Sequence, residues 1–101
     1  MKLWVALLLC ASSALADERA ALQAEARTIL GKYCGRCHDS DSATAKPAAL
    51  AIFDLKDKGW FNHLTKDRLS HILNRMDSFG VPAPEQVRIK AFVAAELAAR
   101  P

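Results

Sequence analysis

Apolar residues recur at helical spacing in the stretch that follows an N-terminal leader. Five apolar positions fall on one face of a helix, whereas Arg19, Gln23 and Arg27 fall on the other. Asp17 is a good N-cap residue, so the pattern predicts a helix that runs from Asp17 to Tyr33. The apolar positions of this helix are Leu22, Ala26, Ile29, Leu30 and Tyr33.

Two further helices are predicted in the second half of the chain. Thr65 can cap the first of them, in which four apolar residues recur at i, i+3, i+4 and i+7. Pro84 and Glu85 suit the first turn of the second, which we expect to turn five apolar residues inward. The apolar positions of the two helices are Leu69, Ile72, Leu73 and Met76, and then Val87, Ile89, Phe92, Val93 and Leu97.

The segment between the first two of these helices is the least regular part of the chain. Residues 39–47 are polar and end in a proline, which predicts a loop, and residues 48–64 mix apolar side chains with a Lys-Asp-Lys-Gly breaker. No run of β-branched residues predicts a buried strand, and no internal repeat or linker is visible. The sequence therefore predicts an all-α fold, with residues 17–101 as a single domain.

Residues 1–16 have the pattern of a secretory signal peptide. One basic residue precedes a short apolar run, and Ala14-Leu15-Ala16 forms a small-x-small cleavage site. A membrane anchor needs about 20 apolar residues, more than this run provides. An uncleaved anchor and a lipid attached to Cys10 are the alternatives. We expect cleavage after Ala16 and export to the periplasm, without a membrane anchor.

Composition narrows the class of function. The 101 residues are 51% hydrophobic and 25% charged, with 14 Lys+Arg against 11 Asp+Glu, and these values are typical of one globular domain. Such a charge balance does not indicate a nucleic-acid-binding protein. A chain of this size buries only about 60–70% of its unfolded surface. A bound cofactor would therefore be a natural source of additional stability.

The strongest chemical signal is the segment Cys34-Gly35-Arg36-Cys37-His38. In an exported chain, the spacing C-x-x-C-H is that of a covalent haem attachment site. The two thiols add across the two vinyl groups of haem, the two-residue spacer spans them, and the adjacent imidazole reaches the iron. We therefore expect Cys34 and Cys37 to hold one haem c, with His38 as the proximal iron ligand.

Three other interpretations of this motif fit the sequence less well than haem attachment. A structural zinc site needs four protein ligands, and no second cysteine pair follows in the sequence. A thioredoxin-like dithiol belongs to a βαβ pattern, which is not predicted here. A disulfide between Cys34 and Cys37 would be strained and would close only a very short loop. The haem site is the interpretation that uses all three side chains.

The order of these features resembles that of small monohaem class I cytochromes c. The shared features are an amphipathic helix that runs into C-x-x-C-H, a late methionine and a C-terminal amphipathic helix. Residues 76–81, Met-Asp-Ser-Phe-Gly-Val, are similar to the methionine loop of that family. The resemblance implies three to four helices wrapped around one covalent haem. It also implies contact between the first and last helices, in which Ala26 and Leu30 would meet Ile89 and Phe92.

The resemblance implies that Met76 is the second axial ligand of the iron. A rotation of about 100° per residue places Met76 on the apolar stripe of its helix and His71 on roughly the opposite side. His63, which stands between apolar neighbours, is a further candidate, and an open sixth position is another alternative. A methionine on an apolar stripe also commonly packs in the core without binding a metal.

Further residues are candidates for contacts around the haem. Trp60 can donate its indole N–H to a haem propionate, although a large aromatic residue commonly packs in the core instead. Arg36 and Arg75 can offset propionate charge. Six lysines form either a docking face or an ordinary solvated surface, and they are Lys32, Lys46, Lys56, Lys58, Lys66 and Lys90.

These expectations define a one-electron carrier of the periplasm that is not an enzyme. Ligation by His38 and Met76 leaves the iron no open position for substrate, and ligands that stay bound in both redox states favour rapid electron transfer. The expected partners are redox proteins that dock transiently over a small surface. A monomer fits this role. An obligate haem subunit of a larger oxidoreductase, and a gas sensor or haem enzyme with an open sixth site, are the alternative functions.

Overall fold

The computed structural model describes the backbone of residues 2–100 and the side chains of residues 15–100. Over that range it contains four α-helices, one 3₁₀ helix and no β-strand, which confirms the prediction of an all-α fold. None of the helices has a described stretch long and apolar enough to cross a membrane. The elements are α1 (Lys2–His38), α2 (Pro47–Leu50), the 3₁₀ helix (Trp60–His63), α3 (Lys66–Arg75) and α4 (Ala83–Ala99).

The first helix differs from its prediction at both ends. It starts at Lys2 and passes through Asp17 without a break, so the expected N-cap at Asp17 is wrong for the full chain. At the other end it extends beyond Tyr33 to His38 and includes the whole C-x-x-C-H motif. The predicted signal peptide is residues 1–16. Most of its side chains, that of Cys10 included, lie outside the described residues.

The main core lies where α1 packs against α4. Four of the five apolar positions predicted for the first helix are buried, and Tyr33 packs partly buried at the edge. On α4, Ile89, Phe92 and Val93 are buried as expected, but Val87 is 60% exposed. Val87 lies two residues, or about 200°, from Ile89, so it faces away from the stripe that the other residues form.

Three groups of polar side chains flank this helix pair. Glu96 is fully buried on α4, where it accepts hydrogen bonds from Arg19 Nε at 2.8 Å, Arg19 Nη2 at 3.0 Å and Gln23 Nε2 at 2.9 Å. Arg88 of α4 pairs with Glu25 of α1 through two hydrogen bonds. The third group joins Glu85 to Lys32 and Tyr33. These contacts fix the register of the two helices along each other.

The third helix begins and ends with recognisable caps. The Thr65 side chain accepts a hydrogen bond from the Arg68 N–H, as predicted for its N-cap. After α3, the Val81 N–H donates to the Met76 carbonyl at 3.1 Å, and the Gly80 N–H donates to the Asp77 carbonyl at 3.2 Å. This pair of bonds is that of a Schellman motif, and it needs the positive φ of 71° at Gly80.

The irregular segment between α1 and α3 folds onto the C-terminal end of α1. An α-helix leaves its last four carbonyl groups without helical partners. Here the Gly35 carbonyl accepts from Asp39 N–H, the Arg36 carbonyl from the hydroxyls of Ser42 and Thr44, and the Cys37 carbonyl from Lys46 N–H. The His38 carbonyl accepts from Leu55 N–H at 2.7 Å. The position of this segment is therefore set by the helix end that carries the C-x-x-C-H motif.

Candidate functional site

A cleft of about 860 Å³ opens between the end of α1, the segment that follows it, and the α3 side of the molecule. It brings together Cys34, Cys37 and His38 from one wall and Met76 from the other. This volume lies within the range of roughly 300–1,000 Å³ that holds small ligands and cofactors. Most of its walls are apolar, and the apolar side chains lining it include Leu30, Ile52, Phe53, Leu64, Ile72 and Val81.

The two cysteines lie on the last turns of α1 and face the same cleft. Residues three positions apart on a helix share a face, so the C-x-x-C spacing places both thiols on one side. Both are free thiols and half-buried. Burial raises the pKa of the Cys34 thiol, the neighbouring Cys37 raises it further, and the charge of Arg75 opposes them. Cys34 is therefore a protonated thiol at neutral pH.

His38 is the last residue of α1, and its ring is held by Phe53 in two ways. The rings of His38 and Phe53 stack with centroids 3.9 Å apart and planes within 4° of parallel. The His38 Nδ1 atom lies 3.3 Å from the Phe53 carbonyl oxygen. A carbonyl oxygen can only accept, so Nδ1 carries the proton in this contact. In the neutral ring, Nε2 then holds the lone pair that can bind a metal.

Met76 stands on the opposite wall, in the turn that follows α3. Its side chain is 3% exposed and packs with Val81 in the core cluster. The turn is tied to α4 by Gln86, whose amide donates to the Val81 carbonyl and to Asp77 Oδ1, both at 2.8 Å. Met76 therefore has a fixed position beside the cleft.

His71 lines the same cleft, contrary to the expectation that it faces away. The cleft face of α3 is formed by Arg68, His71, Ile72 and Arg75, which follow the spacing i, i+3, i+4 and i+7. Met76, the C-cap of α3, keeps helical backbone angles, so it stands about 140° around the helix from His71, and both residues nevertheless line the cleft. The His71 ring accepts a hydrogen bond from Arg75 Nε at 3.0 Å.

His63 is not part of this cleft. Its ring is 66% exposed, lies 3.4 Å from an Asp57 carboxylate oxygen and lines a separate, smaller pocket.

Trp60 lies in the hydrophobic core and not along the cleft. It is 1% exposed, and its ring packs between those of Phe53 and Phe92 at centroid distances of 5.8 and 5.3 Å. Phe53 is in turn stacked on His38. Trp60 therefore supports the cleft wall from behind, and its position is the core position expected as the alternative to a propionate contact.

Four cationic side chains line the cleft, namely Arg36, Lys46, Arg68 and Arg75, and none of the described lining residues is acidic. Arg36 and Arg75 were predicted to offset negative charge here, whereas Arg68 and Lys46 add two cations that were not assigned to the site. Of the six lysines considered as a docking face, Lys46 alone lines the cleft. Lys32 and Lys56 pair instead with Glu85 and Asp41.

The helical spacing of Arg68 with His71 and Arg75 is a signal that could have identified this charged face from the sequence. Within residues 15–100, no three His, Cys, Asp or Glu side chains are grouped as a metal site of the zinc type would require. The cleft thus combines two thiols, one oriented imidazole, a thioether, apolar walls and a cationic border.

Comparison with known proteins identifies no relative. No protein-family description matches the chain, and no curated protein or solved structure is significantly similar to it. Functional inference therefore depends on the residues of the cleft themselves.

Proposed function

We propose that the chain binds one haem c covalently through Cys34 and Cys37 and acts as a one-electron carrier of the class I cytochrome c type. The observation that carries this proposal is the composition of the cleft. One wall holds the C-x-x-C-H motif with the His38 imidazole oriented, and the other wall holds the buried Met76. The helical patterns of the sequence do not by themselves require these four side chains to line one cleft.

The cleft residues fit a flat, apolar and dianionic group. The walls are apolar, which suits the porphyrin ring, and the border carries four cations, which suit two propionates. The alternative ligand sets do not use these features, since a zinc ion or a dithiol reaction needs no apolar cleft. The proposal also accounts for the signal peptide expected at residues 1–16, because covalent haem attachment belongs to exported chains.

Each residue has a distinct role in this proposal. Cys34 and Cys37 attach the group by thioether bonds, and the rigid end of α1 holds both thiols on one face. His38 is the proximal ligand, with the Phe53 carbonyl keeping the proton on Nδ1 and Nε2 available. Met76 is the distal ligand, and the Schellman turn and Gln86 hold it at the cleft.

When bound, haem c supplies an iron centre that accepts and releases one electron. A thioether ligand at Met76 favours the ferrous state, and apolar walls around the site raise the potential in the same direction. Both ligands come from restrained parts of the fold, so little reorganisation accompanies the change of charge. Phe79, which is 49% exposed and lines the cleft, marks a site where a redox partner can approach.

A second candidate follows from His71. Because His71 also lines the cleft, it is the residue that would take the place of Met76 in a bis-histidine carrier with the same attachment motif. A histidine in place of the thioether would lower the potential and change the set of partners.

The test is to express the full chain in a host that exports and matures c-type cytochromes. The proposal expects a mass equal to residues 17–101 plus one haem, and a reduced protein that does not bind carbon monoxide at neutral pH. Met76→Ala should abolish the weak far-red band of sulfur-to-ferric-iron charge transfer and open the iron to carbon monoxide. His63→Ala is the matched control, because His63 is exposed and lies outside the cleft.

Other results would contradict parts of the proposal. If His71→Ala produces these changes while Met76→Ala leaves the spectrum intact, the carrier is a bis-histidine protein. If the native reduced protein already binds carbon monoxide, the carrier function gives way to a sensor or enzyme. A purified protein of correct mass without haem would contradict the whole proposal.

A further inference from the structure

We propose that Arg27 is a positioning residue for His38. It fixes residues 53–56, here called the strap, whose carbonyl at Phe53 accepts the His38 Nδ1 proton. This inference rests on the proposed function, in which His38 is an iron ligand, and it assigns a role to an arginine about three helical turns before His38.

Arg27 binds the strap through two backbone carbonyls. Its Nε atom donates to the Leu55 carbonyl at 2.6 Å, and its Nη2 atom makes a longer, weaker hydrogen bond of 3.4 Å to the Lys56 carbonyl. Arg19 and Arg88 of the helix pair bind carboxylates. Arg27 differs from them because its hydrogen bonds with the described residues all go to the main chain of one segment.

The strap is held by α1 at both sides of Leu55. The Leu55 N–H donates to the His38 carbonyl at 2.7 Å, and the Leu55 carbonyl accepts from Arg27. The Leu55 side chain is also buried. Arg27 and His38 therefore grip one peptide segment from two points of the same helix, and this segment carries the Phe53 carbonyl two residues earlier.

The contact between His38 and Phe53 is sensitive to the position of the strap. Its length of 3.3 Å is just beyond the usual range of N–H···O hydrogen bonds. A displacement of a few tenths of an ångström away from the ring would therefore break it. Stacking of the Phe53 ring on the His38 ring does not replace this hydrogen bond. The rings can stay stacked while the Phe53 carbonyl moves parallel to their planes.

The geometry of Arg27 also explains why arginine suits this position. Its planar guanidinium presents several donors in a fixed arrangement, so it can hold two successive carbonyls at once. A lysine would keep the positive charge but offers a single flexible ammonium group. Lysine at residue 27 should therefore hold the strap less firmly than arginine, and methionine should not hold it.

The test measures the exchange of the His38 Nδ1 proton with solvent, by NMR on the reduced holoprotein. We expect exchange to be about tenfold faster in Arg27→Met, the factor that corresponds to one typical protein hydrogen bond. Arg27→Lys should give an intermediate rate. Arg88→Met is the matched control, since Arg88 is also an exposed, doubly bonded arginine of the helix pair, and it should leave the rate unchanged.

A solely structural role for Arg27 makes a different prediction. It would lower the melting temperature in Arg27→Met and leave the exchange of the His38 proton at wild-type rate, and this result would overturn the inference. Equal acceleration in Arg88→Met would overturn it as well, because the effect would then be general. Should Arg27→Met fail to fold, Arg27→Lys decides: faster exchange supports the inference and an unchanged rate refutes it.

Failure of the proposed function is recognised separately. In that case the wild-type protein carries no covalent haem, and the inference is overturned together with the function on which it rests. If the wild type carries haem ligated by His38, the exchange rates test Arg27 alone.

Discussion

The pair of helices α1 and α4 and the half of the molecule that forms the cleft are held together in different ways. The helix pair buries a continuous apolar seam, with residues such as Ala26, Leu30, Ile89 and Phe92 almost fully buried. The cleft half, residues 39–81, adds buried side chains such as Phe53, Trp60 and Leu69 to the same core, but its helices are short, with four residues in α2 and ten in α3. Hydrogen bonds to the last carbonyls of α1 attach it to the end of that helix.

This difference indicates where the chain depends on something beyond itself. Apolar side chains of the helix pair face each other, whereas several of those in the cleft half face the cleft. Burial of apolar surface is the main favourable term in folding. The apolar walls of the cleft half therefore lack an apolar partner of their own, and the core that this half shares with the helix pair gains stability from the apolar group that we propose to lie between these walls.

Replacement of both Cys34 and Cys37 by alanine should have the largest effect on the stability of the fold. Without covalent haem, a small chain has a marginal core, so we expect the variant to be largely unfolded. Circular dichroism should show loss of the cooperative thermal transition. Cys10→Ala, which changes a cysteine of the predicted signal peptide, is the matched control. A cooperative transition in the double variant would instead show that the helix pair folds without the cleft group.

Truncation of Phe92 should have the next largest effect, and in the other half. Phe92 is a fully buried residue of α4 whose ring packs on that of Trp60, so Phe92→Ala should lower the free energy of unfolding of the holoprotein by about 3–5 kcal/mol. Val87→Ala on the exposed side of the same helix should change it by less than about 0.5 kcal/mol. Chemical denaturation measures both. Equal losses in the two variants would mean that α4 is not packed as described.

The helix pair could be predicted from the sequence to a large extent because its signal is local. Apolar spacing identified the buried residues of α1 and most of those of α4. The error at Val87 arose from counting an apolar residue that stands off the stripe. The error at Asp17 arose because a residue with good N-cap properties does not start a new helix where no breaker interrupts the helix that precedes it.

The cleft half could not be predicted because its structure depends on contacts distant in sequence. The strap is fixed by Arg27 and His38, and no periodic pattern indicates such bonds. The contact of Glu96 is also distant in sequence, because its partner Arg19 lies 77 residues away. The charge of Glu96 at position i+7 from Ile89, on the apolar stripe of the helix, nevertheless indicates that a buried partner is needed. The C-x-x-C-H motif was identifiable because its chemistry lies in five consecutive residues.

Removal of the Arg19 side chain should weaken the helix pair by an intermediate amount. In Arg19→Met the buried Glu96 carboxylate keeps Gln23 and Arg100 but loses two hydrogen bonds from a cation. Loss of partners for a buried charged group costs about 1–3 kcal/mol. Arg88→Met, which breaks an exposed ion pair, should cost at most about 1 kcal/mol. Similar values for both variants in urea denaturation would show that Glu96 finds new partners or solvent.

The smallest effect concerns pH and involves carboxylates in both halves. Burial by itself would raise the pKa of Glu96, but hydrogen bonds from Arg19 and Gln23 and the charges of Arg19 and Arg100 outweigh it and lower that pKa. A hydrogen bond from Arg88 lowers the pKa of Glu25, and one from Tyr33 lowers that of Glu85. These three carboxylates belong to the helix pair, and in the cleft half hydrogen bonds from Ser40 lower the pKa of Asp54 as well.

A carboxylate with a lowered pKa stabilises the folded state at any pH above its unfolded value, which is about 4.3 for glutamate. This stabilisation is lost as the pH falls through the lower pKa of the folded state, since the unfolded chain then binds more protons. We therefore expect the free energy of unfolding of the holoprotein, measured in urea, to fall below about pH 4.3. In Glu96→Gln that fall should be shallower, by at most about 1.4 kcal/mol per pH unit, because one proton no longer takes part. Glu25→Gln should reduce it less, since Glu25 is more exposed than Glu96. If the loss of stability at low pH is the same in Glu96→Gln as in the wild type, acid unfolding starts in the cleft half. The comparison between the two halves would then be reversed for acid unfolding.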